Sequence, residues 1–255
     1  MKKLYEKSEL AFSIVCIVIY CVAMSVGDML SEMIGVQKLV TLIIGSCLSG
    51  VLLLFLLKNK LGAKYGICRP NASARAMLWY MPLVLLLPLN LIHGLTLNST
   101  IVEAVLYILA MLCVGFLEEI IFRGLLFESM RRDNPRAAVI VSSITFGIGH
   151  IINLVNGSGA EVIPNLLQII YATAAGFMFV MIYCKSGSIL CCIAFHGLFN
   201  ALSVFAEESV GMTENIIVCL CLTVISGAYA LYLALSMKRD SIGKSGEDTG
   251  SYTSE

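Results

Sequence analysis

Charge is what this sequence has least of: Asp, Glu, Lys and Arg make up 13% of its 255 residues, against roughly 25% in a soluble domain. With 58% hydrophobic residues beside so little charge, the chain cannot cover a water-facing surface, and its solvent must be lipid. The 17 basic and 17 acidic residues cancel, and no basic cluster stands apart, so nothing points to nucleic acid as a partner. A disulfide or zinc framework is also missing. There are ten cysteines, but no Cys-x-x-Cys and no pair at zinc-finger spacing. Most of them, Cys16, Cys21, Cys113 and Cys219 among them, sit inside apolar runs and read as small buried hydrophobes.

What the chain does have is long apolar runs. A helix crosses the hydrocarbon with about 20 mostly apolar residues. Eight stretches qualify, roughly 10–27, 36–57, 77–95, 101–127, 137–155, 162–183, 189–206 and 214–237. They are continuous rather than alternating, so they suit helices and not the strands of a closed barrel. The expected fold is therefore all-α, a polytopic transmembrane bundle of about eight spans. Pro82 and Pro88 mark kinks in the third span. The first span shares a basic start and small residues, Ala23 and Ser25, with signal peptides. Small residues four apart, Ala172/Gly176 and Ser46/Gly50, read as helix–helix contacts. Residues 1–236 form one membrane domain, and the Ser-, Gly- and charge-rich tail 237–255 reads as disordered.

Eight spans place both termini and the loops 58–76, 128–136 and 184–188 on one side. That side carries 15 of the 17 basic residues, while the opposite loops hold only Lys38. The positive-inside rule makes it the cytoplasmic side. The protein is expected in a membrane, and its compact plan suits a bacterial plasma membrane.

Ionisable groups inside a bilayer cost a few kcal/mol each on insertion scales, which makes them functional candidates. Here they fall on three spans: Glu118, Glu119 and Arg123 on the fourth, His150 on the fifth, His196 and Asn200 on the seventh. Glu118 lies 13 residues before Arg131, His150 lies 14 after Arg136, and His196 and Asn200 lie 11 and 15 after Lys185. At ~1.5 Å per residue these counts put all of them about 16–23 Å deep, at one level. Glu119 and Arg123, four apart with the acid first, are spaced for an ion pair. Glu118 is rotated by about 100° from Glu119, which leaves it available as a general base. His196 and Asn200 share a helix face; the imidazole can relay a proton and the amide can donate to an oxyanion. Such a set suits attack of water on a carbonyl.

Three motifs, Glu-Glu-x-x-x-Arg at 118–123, Phe-x-x-x-His at 146–150 and His-x-x-x-Asn at 196–200, resemble those of the CPBP family, also called ABI. It contains CAAX-prenyl endopeptidases and bacterial bacteriocin-processing or immunity proteins. The resemblance covers a motif core of about 101–206, and the eight-span plan is similar too. It implies an intramembrane endopeptidase acting on a membrane-associated peptide or protein. In that reading Glu118 activates water, assisted by Glu119, His150, His196 and Asn200, with Arg123 as structural counter-ion. Other intramembrane proteases fit badly. There is no His-Glu-x-x-His, no aspartate inside a span, and no Gly-x-Ser-Gly within one.

The bland readings stand beside this one. Glu119 with Arg123 is the usual fate of membrane charges, and lone polar groups often serve only as glue between helices. His93, Trp79, Tyr80 and Tyr107 read as interface or packing residues. Glu118, His150 and His196 would also suit a hydrolytic zinc, leaving an open water position. The absence of a His pair at i,i+4 favours an account without a cofactor, with zinc as the alternative. A non-catalytic regulator, an immunity protein or a proton-coupled transporter would use the same residues, although transporters usually carry repeats that are not evident here.

The charge asymmetry makes a direct prediction: reporters fused after residue 133 and at the C-terminus report cytoplasm, and reporters at 98 and 211 report the opposite side. A reporter at 133 on the outer side would overturn the span assignment.

Overall fold

Lipid offers the backbone no hydrogen-bonding partner, so a chain this apolar folds by closing its own helices. The computed structural model describes residues 1–156, 161–207 and 210–250, with side chains as far as Arg239. After a short helix at Lys2–Lys7 come α1 (Glu9–Ile34), α2 (Leu39–Lys58), α3 (Arg75–Leu91), α4 (Ile101–Arg131), α5 (Pro135–Leu154), α6 (Val162–Ser186), α7 (Leu190–Phe205) and α8 (Met212–Gly250, apolar over Met212–Arg239). Among the described residues there are no strands, only one isolated bridge between Leu95 and Ala206. Six of these helices are long and apolar enough to cross a membrane. All eight expected spans fall on apolar helices, but α3 and α7 are shorter than a full crossing. The expected tail boundary at 236/237 falls within α8, and residues 251–255 lie outside the described residues.

The helix ends follow local chemistry. Ser8 accepts a hydrogen bond from the Ala11 N–H and starts α1. Thr100 and Glu103 form a reciprocal capping box at the head of α4. Asn134 caps α5 with Pro135 at its first turn. Gly187 ends α6 at φ +67°, a conformation that glycine adopts without strain. On the basic side, Lys64 donates to Glu9 and Tyr5, tying the chain's start to the loop after α2. Burial pulls the Lys64 pKa down, but those hydrogen bonds outweigh it and the net shift is upward.

The third span is not one helix. Leu78, Trp79 and Tyr80 have φ of 49°, 54° and 55°, so α3 breaks into 3₁₀ and α segments at Met81 and Leu87, next to Pro82 and Pro88. A break in lipid is tolerable only where neighbours satisfy the freed carbonyls. Tyr229 of α8 does so for Met77, donating to its carbonyl at 2.7 Å.

α4 carries the second irregularity. From Glu119 to Phe127 its hydrogen bonds are those of a π-helix, and every residue in that stretch is buried. Ser142 of α5 donates to the carbonyl of Phe122 there at 2.8 Å. Single-turn π-bulges gather at functional sites; this one is longer and begins at Glu119.

Close packing is set by glycine. A Cβ built on Gly115 of α4 would stand 2.5 Å from the nitrogen and 2.6 Å from the Cα of Gly197 on α7. The two helices therefore touch backbone to backbone, immediately beside His196. Gly176 packs α6 against Ser143 of α5 in the same way, a Cβ there meeting its carbonyl oxygen at 2.9 Å. The expected Ala172/Gly176 contact is thus present. Of Ser46/Gly50 only the serine is at a contact, its Oγ lying 3.7 Å from Cys113 Sγ on α4; Gly50 has open space around it, and the close glycine of α2 is Gly45, whose Cβ would lie 3.2 Å from Cys113 Cβ. Four-residue spacing alone does not reveal which face of a helix meets a neighbour. All ten cysteines are unpaired.

Because backbone atoms cannot move aside as a side chain can, Gly115→Ala is expected to destabilise the protein by about 1–3 kcal/mol, as overpacking does. Gly50→Ala should leave it unchanged. Thermal unfolding in detergent compares the two; equal midpoints would refute a backbone contact at Gly115.

Candidate active site

The Gly115–Gly197 contact brings the middle of α4 against the middle of α7, and three polar side chains meet there. Glu119 Oε1 accepts from Arg123 Nη1 at 3.0 Å and lies 2.8 Å from His196 Nδ1. A carboxylate only accepts, so His196 carries its proton on Nδ1 in this contact. Both members of the Glu119–Arg123 pair are fully buried. The guanidinium carbon lies 3.9 Å from the centre of the Phe146 ring and 5.0 Å from that of Phe179. Those rings offer their negative faces to a cation that has left water.

Glu118 is held differently. Its Oε1 accepts from the hydroxyl of Tyr20 on α1 at 2.6 Å. Its Oε2 faces His196 Nε2 at 3.4 Å and has no hydrogen-bond partner among the described residues. With the Nδ1 proton directed at Glu119, the facing Nε2 and Oε2 are set to hold a shared proton or a water. In the wider π turn the angle between successive side chains falls below the ~100° of an α-helix. Adjacent carboxylates can then face one histidine from two sides.

His150 begins a 3₁₀ turn at the end of α5, edge-on to Phe146 at 5.5 Å. Asn165 of α6, almost fully buried, donates to the His150 carbonyl at 2.9 Å and fixes that turn. His196 stacks on Phe179 and stands edge-on to Phe146, with both ring centres at 5.6 Å. Asn200, one turn after His196, makes no hydrogen bond among the described residues. It borders, with Tyr20, Glu118 and His150, a cavity of about 280 Å³. A smaller space of about 60 Å³ behind it is shared by His150, His196 and Asn200. An apolar groove between α1 and α5 adjoins the cavity, the two sharing Cys21, Phe122, Gly149 and Ile152.

Glu118, Glu119, Arg123, His150, His196 and Asn200 thus lie around one locus. Tyr107, read as a packing or interface residue, also lines the cavity. Trp79 is 67% exposed, as an interface residue would be, and His93 borders neither space. Tyr20 and Asn165 escaped the sequence reading. Tyr20 lies 13 residues after Lys7, the same count that separates Glu118 from Arg131. The depth argument extended to hydroxyls would have found it. Asn165 leaves no such trace, because its role depends on where α5 ends.

Glu118 Oε2 and His196 Nε2 stand as far apart as two ligands of one ion would. Yet among the described residues no group of three His, Cys, Asp or Glu side chains is placed to hold a metal.

No curated protein matches the chain. Residues 100–202 match the family model described as Rce1-like, Type II CAAX prenyl endopeptidase Rce1-like. That stretch holds Glu118, Glu119, Arg123, His150, His196 and Asn200, while Tyr20 lies outside it. Through the segment that carries the site, this polytopic membrane protein is similar to the type II CAAX prenyl endopeptidases, the Rce1-like family.

Proposed function

We propose that the protein is an intramembrane endopeptidase that hydrolyses a peptide bond in a membrane-associated substrate, with Glu118 activating water directly. The observation that carries this reading is the environment of Glu118. One oxygen is anchored by Tyr20, and the other is buried, without a hydrogen-bond partner among the described residues, and faces His196. A water there lies within reach of a base and, across the cavity, of His150 and Asn200.

The steps balance without a cofactor. Water attacks the scissile carbonyl carbon and gives its proton to Glu118. The oxyanion forms opposite the His150 ring and the Asn200 amide, whose N–H groups are the available donors. The proton then passes between Glu118 Oε2 and His196 Nε2 to the leaving nitrogen as the C–N bond breaks. Glu119 orients His196 through Nδ1 and balances any charge the ring gains, while Arg123 supplies the countercharge of Glu119. The apolar groove beside the cavity supports a substrate that keeps part of its chain in the bilayer.

The general-base role predicts that Glu118→Gln remains folded and inserted but loses at least ~100-fold in turnover. Tyr20→Phe frees Glu118 Oε1 without removing the base, so it should lower kcat less, leave KM nearly unchanged and alter the pH profile of kcat. These rates can be followed on a substrate identified as a peptide whose processing disappears from Glu118→Gln membranes. Full activity in Glu118→Gln would shift the assignment to a proton relay or a regulator.

Metal dependence is tested on other residues, since Glu118 is essential either way. We expect purified, chelator-treated protein to remain active without stoichiometric metal. Asn200→Ala should cost about 2.7–4 kcal/mol of barrier, the scale of a lost oxyanion donor. Stoichiometric zinc, with activity lost on stripping and restored by zinc, would overturn the metal-free mechanism in favour of zinc held by Glu118, His150 and His196.

A further inference from the structure

An oxyanion donor works only if its ring is held in place before the charge forms. The His150 ring packs edge-on against Phe146, and among the described residues no side chain is hydrogen-bonded to it. Its position is therefore set by its backbone. We propose that Asn165 of α6 is a positioning residue for the hydrolysis, holding the His150 ring beside the Asn200 amide through the His150 carbonyl. This inference rests on the endopeptidase reading and adds a residue that touches no reacting atom.

The α-helical part of α5 ends at Gly149, and His150 to Leu154 continue as a 3₁₀ turn. A helix end leaves its last carbonyls without partners, and lipid supplies none. Asn165 Nδ2 donates to the His150 carbonyl at 2.9 Å. A carbonyl only accepts, so the contact fixes which end of the Asn165 amide faces α5. Nδ2 also lies 3.4 Å from Gln168 Oε1, which accepts from Asn153 of the same 3₁₀ turn at 3.1 Å. Two residues of that turn are thus tied to the first turns of α6.

Asn165 is a poor residue for simple adhesion. It is 2% exposed, and its Oδ1 is buried without a hydrogen-bond partner among the described residues. Burying an amide oxygen unpaired is costly, so this side chain contributes little net stability. What it supplies is a fixed place for one carbonyl.

The packing gives that bond its leverage. A Cβ on Gly147 would stand 2.9 Å from the Ile169 carbonyl oxygen of α6, so the two backbones touch there. His150 lies three residues after Gly147, and Asn165 four before Ile169. The amide bond is therefore the next rung of the same antiparallel seam. Gly149, between the two rungs, has open space around it and braces nothing. Past the seam, His150 and Asn200 both line the cavity and the smaller space behind it, whereas Asn165 lines neither. Loss of the rung would let the turn move and carry the ring away from Asn200. A displacement of about 1 Å in a reacting arrangement can cost about 100-fold in rate.

Asn165→Leu tests this, because it nearly keeps the side-chain volume and removes the donor. The folded, inserted variant should lose about 10–100-fold in kcat with KM nearly unchanged, on the substrate identified from Glu118→Gln membranes. Asn165→Ala should show the same split, and it serves if the leucine variant does not insert. Combined with His150→Ala, either substitution should cost no further activity, since residues acting through one group are not additive. Losses that multiply, or an unchanged kcat in the Asn165 variants, overturn the proposal. Nitrogen-15 spectra of histidine-labelled protein in detergent need no substrate. There the His150 ring signals should shift in Asn165→Leu while those of His93 stay. Unshifted His150 signals overturn the proposal as well. Full activity in Glu118→Gln refutes the endopeptidase reading and the positioning role with it. Activity lost in Glu118→Gln, with Asn165 and His150 effects that multiply, refutes the positioning role alone.

Discussion

The guanidinium of Arg123 has no exposed surface, and the arrangement around the site follows from what a buried cation requires. An unpaired charge at this depth is very costly, and removing one partner of a buried pair typically destabilises by about 3–5 kcal/mol. Glu119 supplies the countercharge one turn away on the same helix. Phe146 from α5 and Phe179 from α6 cover the cation with ring faces, and His196 from α7 shares the carboxylate. One charge thus fixes the positions of four helices relative to one another. The Gly115–Gly197 contact is the steric condition that lets α4 and α7 come close enough for that sharing.

Two adjacent glutamates end up in different electrostatic surroundings. Glu119 Oε1 is committed twice, to Arg123 and to His196, so its charge is neutralised where it stands. Glu118 has no cation of its own; it takes a hydroxyl from Tyr20 and presents its other oxygen to His196 and the cavity. The π-helical turn starting at Glu119 makes this division possible. The distinction is electrostatic and conformational at once, and a dipeptide of identical residues cannot display it.

Much of this was legible before any coordinates. Apolar runs long enough to span a bilayer show in composition alone, because lipid removes the polar face that makes soluble helices ambiguous. Six of the eight are full-length helices. Counting residues from the basic anchors put Glu118, His150, His196 and Asn200 at one level, and they border one site. The break in α3 was only half legible, since its prolines are visible but the left-handed turn at Leu78 to Tyr80 is not. Gly50 was misread and Gly115 overlooked for one reason. A small residue marks a contact only if its face meets a neighbour, which is a tertiary fact. Tyr20 was missed because the search weighed charge and imidazole, while a phenol in lipid looked like ordinary packing.

A membrane hydrolase must also admit water to mid-bilayer without opening a path through it, since a continuous wet channel would leak protons and ions. The requirement is asymmetric: a polar wall on one side of the base and a dry layer on the other. In this chain Glu118 stands at the junction. Toward the helix ends remote from the basic loops are Asp28, Lys38, Asn90 and Gln168; toward the basic loops is the buried run from Glu119 to Phe127, packed on Tyr65 and Tyr183. Glu119, which pairs with Arg123, is the first residue of that buried run. The buried ion pair therefore sits where Glu119 also contacts His196, inside the packed layer. Its retention at the cost of desolvating two charges has a physical reason beyond holding helices together.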